Sequence, residues 1–377
     1  MIIIHQGYVE DSTLFTDIEI DGQVKRVFIA VEDEYKKFLS PERSDYALIG
    51  MLAYAMRNRH DIICETPVTE ELLYKIREIL IPTLVKSDSR NYAPKIQANM
   101  APPLEKARTY AIFDGGGAVG TGLSCGVDSF HAVAKYLNSE YPSQNLTHIT
   151  VYNIGSINSC YGNENIPRVK QKVFERAEKV TAEIGLPLVK LESNFQDVIP
   201  QVHYTSHTYM DGLAIYSLQK LWRIYYYASA YFFGNFSLKN NFDSDPAHFE
   251  LFLLDCLSTS NLKIISEAGE GTRNDKIKFI ADNPIVQKNL HVCIAKEYNC
   301  GVCPKCLRTL LALDALNKLD KFHDVFDVEN YTKNIVNNYL FLFQKYVLEH
   351  DEFFEETFKI LYNRHKKFFD LIVVEKN

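Results

Sequence analysis

Apolar residues recur along this chain in two alternating rhythms. Short apolar runs predict strands over Met1–Tyr8, Leu14–Ile20 and Val24–Ile29, and the three-to-four-residue apolar spacing that follows predicts helices over Ser44–Arg57 and Thr69–Leu80. Pro102-Pro103 marks a joint. Beyond Tyr110 strands and helices alternate. Strands are expected at Ala111–Phe113 or Gly122–Ser124, then His148–Ile154, Leu186–Glu192, Tyr231–Phe236 and Leu262–Ser266. Helices are expected at Ser129–Leu137, Arg168–Ile184, Leu213–Ala230 and Asp275–Asp282, and a helical tail over about Val328–Phe369. Short apolar strands separated by longer amphipathic helices predict a parallel sheet covered on both faces, an α/β fold. The implied division is an α+β block over residues 1–105, an α/β domain over 106–327 and a helical tail over 328–377.

Composition narrows the class. With 46% apolar and 24% charged residues the 377-residue chain reads as globular, and 41 basic against 48 acidic side chains leave a formal charge of −7. A duplex-binding face would show as a basic excess, so nucleic acid is not the expected partner. Arg364-His-Lys-Lys367 reads as a solvated helix face. Met1-Ile-Ile-Ile-His is too short for a signal-peptide core. The apolar stretch Leu218–Phe236 is interrupted by Lys220 and Arg223 and is expected as a buried helix leading into a strand, not a membrane span. A cytoplasmic location is expected, where eight cysteines serve as thiols, metal ligands or catalytic groups sooner than as disulfides.

The densest chemistry lies in Thr121-Gly-Leu-Ser-Cys-Gly-Val-Asp-Ser-Phe130. A turn of small residues after a strand, entering a helix, aims backbone N–H groups at an anion, and Ser124, Ser129 and Asp128 add hydroxyl donors and a carboxylate able to hold Mg²⁺. No Gly-x4-Gly-Lys-Ser/Thr occurs, so transfer of the γ-phosphate is not expected. The run Ser124, Cys125, Gly126, Val127, Asp128, Ser129 resembles the pyrophosphate loop of the N-type ATP pyrophosphatases, except that Cys125 stands where that pattern has glycine. Cys125 is either a tolerated small residue, a thiolate activated by the helix N-terminus, or a spoiled loop. If tolerated, it is expected at negative φ with its sulfur turned into the sheet.

A second cluster follows about 165 residues later. Cys293, Cys300, Cys303 and Cys306 fall within fourteen residues with the spacing C-x6-C-x2-C-x2-C, as a closed tetrahedral Zn²⁺ site requires, although an iron–sulfur cluster takes similar spacing. A closed site of this kind stabilises the fold and leaves no coordination position for substrate. The loop, the cysteines, Arg308-Thr309 and the segment Thr272-Arg-Asn-Asp-Lys276 together resemble the 7-cyano-7-deazaguanine synthase family over about residues 108–320.

That resemblance implies a Rossmann-like sheet and an ATP-dependent ligase. A carboxylate, such as a 7-deazaguanine carboxylate, would be adenylated with release of pyrophosphate, then joined to ammonia, giving an amide or, after a second activation, a nitrile, or to a protein or peptide amine docked by residues 1–105. It implies catalytic roles for Asp128, Ser129, Arg273 and Lys276, nucleotide contacts from Ser124 to Ser129, and adenine contacts from Asn153 and Gly155. His203 and His207 read as loop residues, or as groups sharing a helix face that reach nucleotide or acceptor. The aromatic run Tyr225–Phe233 reads as core. Two other readings stay open: a non-catalytic nucleotide-binding partner protein of the same fold, and sulfur transfer to tRNA, which would need a basic RNA face.

Overall fold

The computed structural model describes residues 1–106, 117–155, 166–267 and 269–374. It is α/β, and its chain divides into two compact units: Met1–Leu123 with Ala132–Glu270, and Ser124–His131 with Gly271–Asn377.

The first unit contains the sheets. In chain order its strands are β1 Ile2–Ile4, β2 Tyr8–Glu10, β3 Thr13–Ile20, β4 Gln23–Val31, β5 Ile62–Cys64, β6 Val68–Thr69, β7 Ile96–Gln97, β8 Met100–Ala101, β9 Ala118–Gly122, β10 His148–Asn153, β11 Leu188–Ser193, β12 Trp222–Ala228 and β13 Lys263–Glu267. Eleven form one sheet in the order β13-β12-β9-β10-β11-β4-β3-β1-β5-β7, with β2 paired to β3; β6 and β8 form a separate pair. The five strands from β13 to β11 are all parallel. Chain progression moves outward from β9 through β10 to β11, then reverses to β12 and β13, and in open α/β sheets ligands bind beyond the carboxyl ends of strands at such a reversal.

The expected parallel sheet is therefore correct for the half that runs from β13 to β11, and the sheet becomes mixed beyond it. β4 joins β11 antiparallel, Leu191 opposite Val31, and β3 joins β4 antiparallel. The reason lies in the Asp21-Gly22 turn: both residues adopt positive φ, 49° and 83°, the conformation of a two-residue hairpin loop, so the returning strand must run antiparallel. Residues 1–105 thus extend the same sheet, and their buried side chains (Ile2, Ile18, Leu48, Leu52) belong to one core with Leu191, Leu213 and Trp222.

Four expected elements need correction. The expected helix Leu213–Ala230 is instead the end of a helix His203–Ser217 followed by β12, and the expected strand Tyr231–Phe236 holds a single turn of 3₁₀ helix at Phe233–Asn235. Trp222-Arg-Ile-Tyr-Tyr-Tyr-Ala228 is aromatic and sits inside a parallel sheet, where both faces are covered, so the polar alternation that flags a strand is missing. The first central strand is Ala118–Gly122, not Gly122–Ser124, while Ala111–Phe113 lies outside the described residues. Two glycines in five residues disguise β9. Gly120 is kept small by Trp222, since a Cβ there would come within 2.6 Å of the indole ring. The expected helix Thr69–Leu80 runs on to Ser87, because a wide turn over Lys75–Leu80 carries the backbone past Pro82, which has no N–H to give.

Among the described residues no helix is long and apolar enough to cross a membrane. The tail is helical as expected, with helices Val328–Lys333, Ile335–Phe343, Glu355–Arg364 and Lys366–Val374.

Candidate functional site

The loop Ser124–Ser129 folds on its own hydroxyls. Gly126 donates its N–H to Ser124 Oγ at 3.3 Å, Ser129 Oγ donates to the Gly126 carbonyl at 3.1 Å, and the two serine hydroxyls lie 3.2 Å apart. The helix Val127–Tyr136 starts immediately, so its unpaired first-turn N–H groups belong to Val127, Asp128 and Ser129. The segment before the cysteines clamps the loop, with His291 N–H donating to the Cys125 carbonyl at 2.8 Å.

Cys125 departs from expectation. Its φ is +59°, the left-handed conformation in which a side chain is strained and glycine is not, and it is buried. The backbone has the shape a glycine would take, and a cysteine occupies it.

Asp128 meets two cations of the helix Arg273–Ile280, which a capping box between Thr272 and Asp275 begins. Arg273 Nη1 lies 2.6 Å from Oδ2 and Lys276 Nζ 3.0 Å from Oδ1, so each carboxylate oxygen accepts from a cation. Burial works against ionising Asp128, but Arg273 and Lys276, with Arg308 behind them, outweigh it and hold the carboxyl well below the usual range. Lys276 is almost wholly buried. Arg308, from the helix Pro304–Ala315, also lies over the Phe353 ring at 4.5 Å from its centroid. Arg273, Lys276 and Arg308 thus set three cations around one carboxylate, beside hydroxyls and helix N–H groups. Such a place suits a multiply charged anion. Both oxygens of Asp128, the residue expected to meet Mg²⁺, face Arg273 and Lys276.

The four cysteines converge as expected. The Sγ atoms of Cys293, Cys300, Cys303 and Cys306 all lie within 4.8 Å of one another, with Cys300 to Cys306 at 4.0 Å and Cys293 to Cys303 at 3.9 Å. Four thiolates about 2.3 Å from a tetrahedral Zn²⁺ would sit about 3.8 Å apart, so the cluster fits the ion. Cys303 caps the helix Pro304–Ala315 and Cys306 lies in its first turn, where the helix dipole favours thiolate. Cys300 Sγ accepts from Cys303 N–H at 3.3 Å and Cys293 Sγ from Ala295 N–H at 3.4 Å, contacts that orient ligands and stabilise their charge. Gly301, at φ +71°, turns the chain between them. Asn299 ties the knuckle together: its Oδ1 accepts from Val292 N–H at 2.8 Å, and its Nδ2 donates to the Leu290 and Val325 carbonyls at 2.8 and 3.1 Å.

The structure thus brings together Ser124, Cys125, Gly126, Val127, Asp128, Ser129, Arg273 and Lys276 within the second unit, which also holds the cysteines. Asn153 and Gly155 belong to the first unit, at and just past the carboxyl end of β10. Gly155 has φ +115° and is packed so tightly against Gln196 that no side chain fits. Arg308 and Asn299 were not singled out as site residues by the sequence; only Arg308's place two residues after Cys306 pointed to it.

Comparison of the chain with protein-family models, with curated proteins and with solved structures yields no significant match in any of the three.

Proposed function

We propose that the protein is an ATP-dependent ligase of the pyrophosphate-releasing kind, with a Rossmann-like arrangement of its central strands, in which the loop Ser124–Ser129 receives the nucleotide's phosphates. The observation that carries this reading is the pairing of a hydroxyl-lined helix N-terminus with the Arg273–Asp128–Lys276 cluster. Serine hydroxyls and first-turn N–H groups are donors to phosphate oxygens, and two cations fixed by a carboxylate are preorganised to stabilise charge on a departing pyrophosphate.

In this reading a substrate carboxylate oxygen attacks the α-phosphorus, the bond from phosphorus to the β-bridging oxygen breaks, and pyrophosphate leaves toward Arg273 and Lys276. The acyl adenylate is then opened by an amine to give an amide and AMP. Asp128 orients the two cations and is not assigned to a metal. Asn153 and Gly155 remain the proposed adenine contacts. The acid is proposed, from the sequence resemblance, as a 7-deazaguanine carboxylate, and the amine as ammonia or a protein or peptide amine. The four-cysteine cluster would hold Zn²⁺ as a structural ion.

A non-catalytic nucleotide-binding role is the second reading, favoured by the strained Cys125 in the loop. Exchange of labelled pyrophosphate into ATP in the presence of the carboxylate separates the two: a catalyst exchanges label, and a binding protein does not.

A further inference from the structure

Where β2, β3, β4 and β11 lie side by side in the first unit, the sheet has two unlike faces. Cross-strand partners share a face, so the pairs Tyr8–Phe15, Phe15–Phe28, Thr13–Ala30 and Ala30–Glu192 define one surface. The opposite surface, with Leu14, Ile18, Val27, Ile29 and Leu191, is buried core. On the first surface every residue of β2, β3 and β4 is exposed or half-buried, the position in an antiparallel sheet where polar side chains are expected. An aromatic row crosses it instead. Tyr8 stacks on Phe15 with 5.4 Å between ring centroids, and Phe28 stands opposite Phe15 on the next strand. A contiguous apolar row on a solvent face marks an interaction surface.

The row ends at a cleft of about 230 Å³, lined by Ala30, Val31 and Glu32 at the end of β4, Lys190 and Glu192 of β11, and Phe174 of the helix Ile166–Ile184. That is smaller than the roughly 300–1,000 Å³ of small-molecule pockets and suits one inserted side chain. Glu32 Oε2 accepts from the Lys190 N–H at 3.0 Å. Its Oε1 is shielded from solvent and accepts no hydrogen bond among the described residues, since the Lys190 ammonium, 3.4 Å away, donates to Glu178 at 2.7 Å. A cationic donor entering the cleft would satisfy that oxygen. The surrounding charge has the matching sign. Glu10, Asp17, Glu19, Glu32 and Glu192 share the open surface with only Arg26 and Lys190, five carboxylates against two cations. Residues 1–34 hold eight acidic and two basic side chains, a balance of −6 within a whole-chain charge of −7.

We propose that this open face docks an extended basic segment of a partner protein, with one lysine or arginine in the cleft against Glu32 and an apolar side chain on the Tyr8–Phe15 pair. Charge complementarity selects the partner: an acidic surface steers a basic segment toward it and repels an acidic one. The aromatic row supplies the apolar contact that a charge pair at the rim does not. From the β4–β11 cleft to the β2–β3 pair is two strand spacings, about 10 Å, which roughly three residues of extended chain span. As the docking site of an amine-bearing acceptor the proposal rests on the ligase reading above; binding of the segment itself requires no nucleotide.

The test is fluorescence anisotropy of a rhodamine-labelled peptide built of Lys-Ser-Leu repeats, titrated with the full-length protein without nucleotide, beside a control peptide of Glu-Ser-Leu repeats. The lysine peptide should bind saturably and the glutamate peptide should not, and binding should loosen several-fold between about 50 mM and about 500 mM salt. Tyr8→Ser and Ala30→Arg, both on the open face, should each weaken binding about tenfold with the melting temperature unchanged, while Tyr8→Phe should bind like the native protein. No saturable binding, equal binding of the two peptides, or binding that survives both Tyr8→Ser and Ala30→Arg would overturn the proposal. So would a dimer in sedimentation that Tyr8→Ser dissolves, which would assign the face to a second copy of this chain. Pyrophosphate exchange that fails while the lysine peptide still binds counts against the ligase reading alone.

Discussion

Lys276 donates to Asp128 across 3.0 Å from a position almost wholly removed from solvent, while Arg273 holds the other oxygen of the same carboxylate. A buried cation is tolerated only with its partner, so removal of one charge is more damaging than removal of both. Asp128→Ala should therefore destabilise the protein by about 3–5 kcal/mol in urea denaturation, and Asp128→Ala combined with Lys276→Met should recover a large part of that loss. A double variant no more stable than the single one would show that the pair is not what holds these residues. The pH dependence follows in sign. The carboxyl of Asp128 is depressed in the folded state, so its contribution is present above the unfolded carboxyl value of about 4 and is lost as acid titrates the folded group.

Cys125 allows a clean separation of backbone from side chain. Cys125→Ala and Cys125→Gly both delete the thiol, but only glycine relieves φ +59°. The glycine variant should be more stable than the alanine variant by about 1 kcal/mol, reversing the usual order, and a β-branched residue there should be worse than either. Thermal melts of the two variants decide this, and alanine equal to or better than glycine would mean the loop relaxes out of the left-handed conformation.

The cysteine cluster should bind about one Zn²⁺ per chain. Elemental analysis of purified protein checks it, and Cys306→Ser should lose the metal together with soluble, cooperatively folding protein. Asn299→Ala, which cuts four hydrogen bonds behind the ligands, should weaken metal retention by roughly tenfold or more without removing a ligand thiol. Protein free of both zinc and iron would refute the assignment.

Asp211 predicts a stability change of opposite sign to that of Asp128. Its folded value is raised to about 6, so its favourable contribution is present in acid, below the unfolded value of about 4, and is lost as pH rises through 6. At pH 7.5 the ionised carboxylate costs on the order of 3 kcal/mol, from about two units at 1.36 kcal/mol each. Asp211→Asn should be more stable than the native protein at pH 7.5, with the difference shrinking toward zero near pH 4. Melting curves at the two pH values test this, and a constant difference would contradict it.

What could be read in the sequence was what is local. The four cysteines converge because their spacing is short, the β3–β4 hairpin announces itself in Asp21-Gly22, and the helix that opens at Val127 follows from a run of small residues and a hydroxyl. What could not be read depends on distant partners. β12 carries no alternation because both its faces are covered, and Gly120 is required by an indole about a hundred residues away. The pairing of Asp128 with Arg273 spans 145 positions, and that of His207 with Asp245 spans 38, so neither leaves a local trace. The φ of Cys125 was misjudged for a related reason: a side chain argues for negative φ, and the turn that Ser124, Gly126 and Ser129 build around it overrides that preference.

The central claim is that the loop Ser124–Ser129 directs ATP toward loss of pyrophosphate. The most direct measurement is chromatography of the nucleotides formed when the protein is incubated with ATP, Mg²⁺, a 7-deazaguanine carboxylate and ammonia. AMP and pyrophosphate should appear in equal amounts and fall on the order of a hundredfold in Ser129→Ala, the scale of losing one preorganised donor. ADP in place of AMP, no AMP at all, or AMP formation unchanged in Ser129→Ala would contradict it.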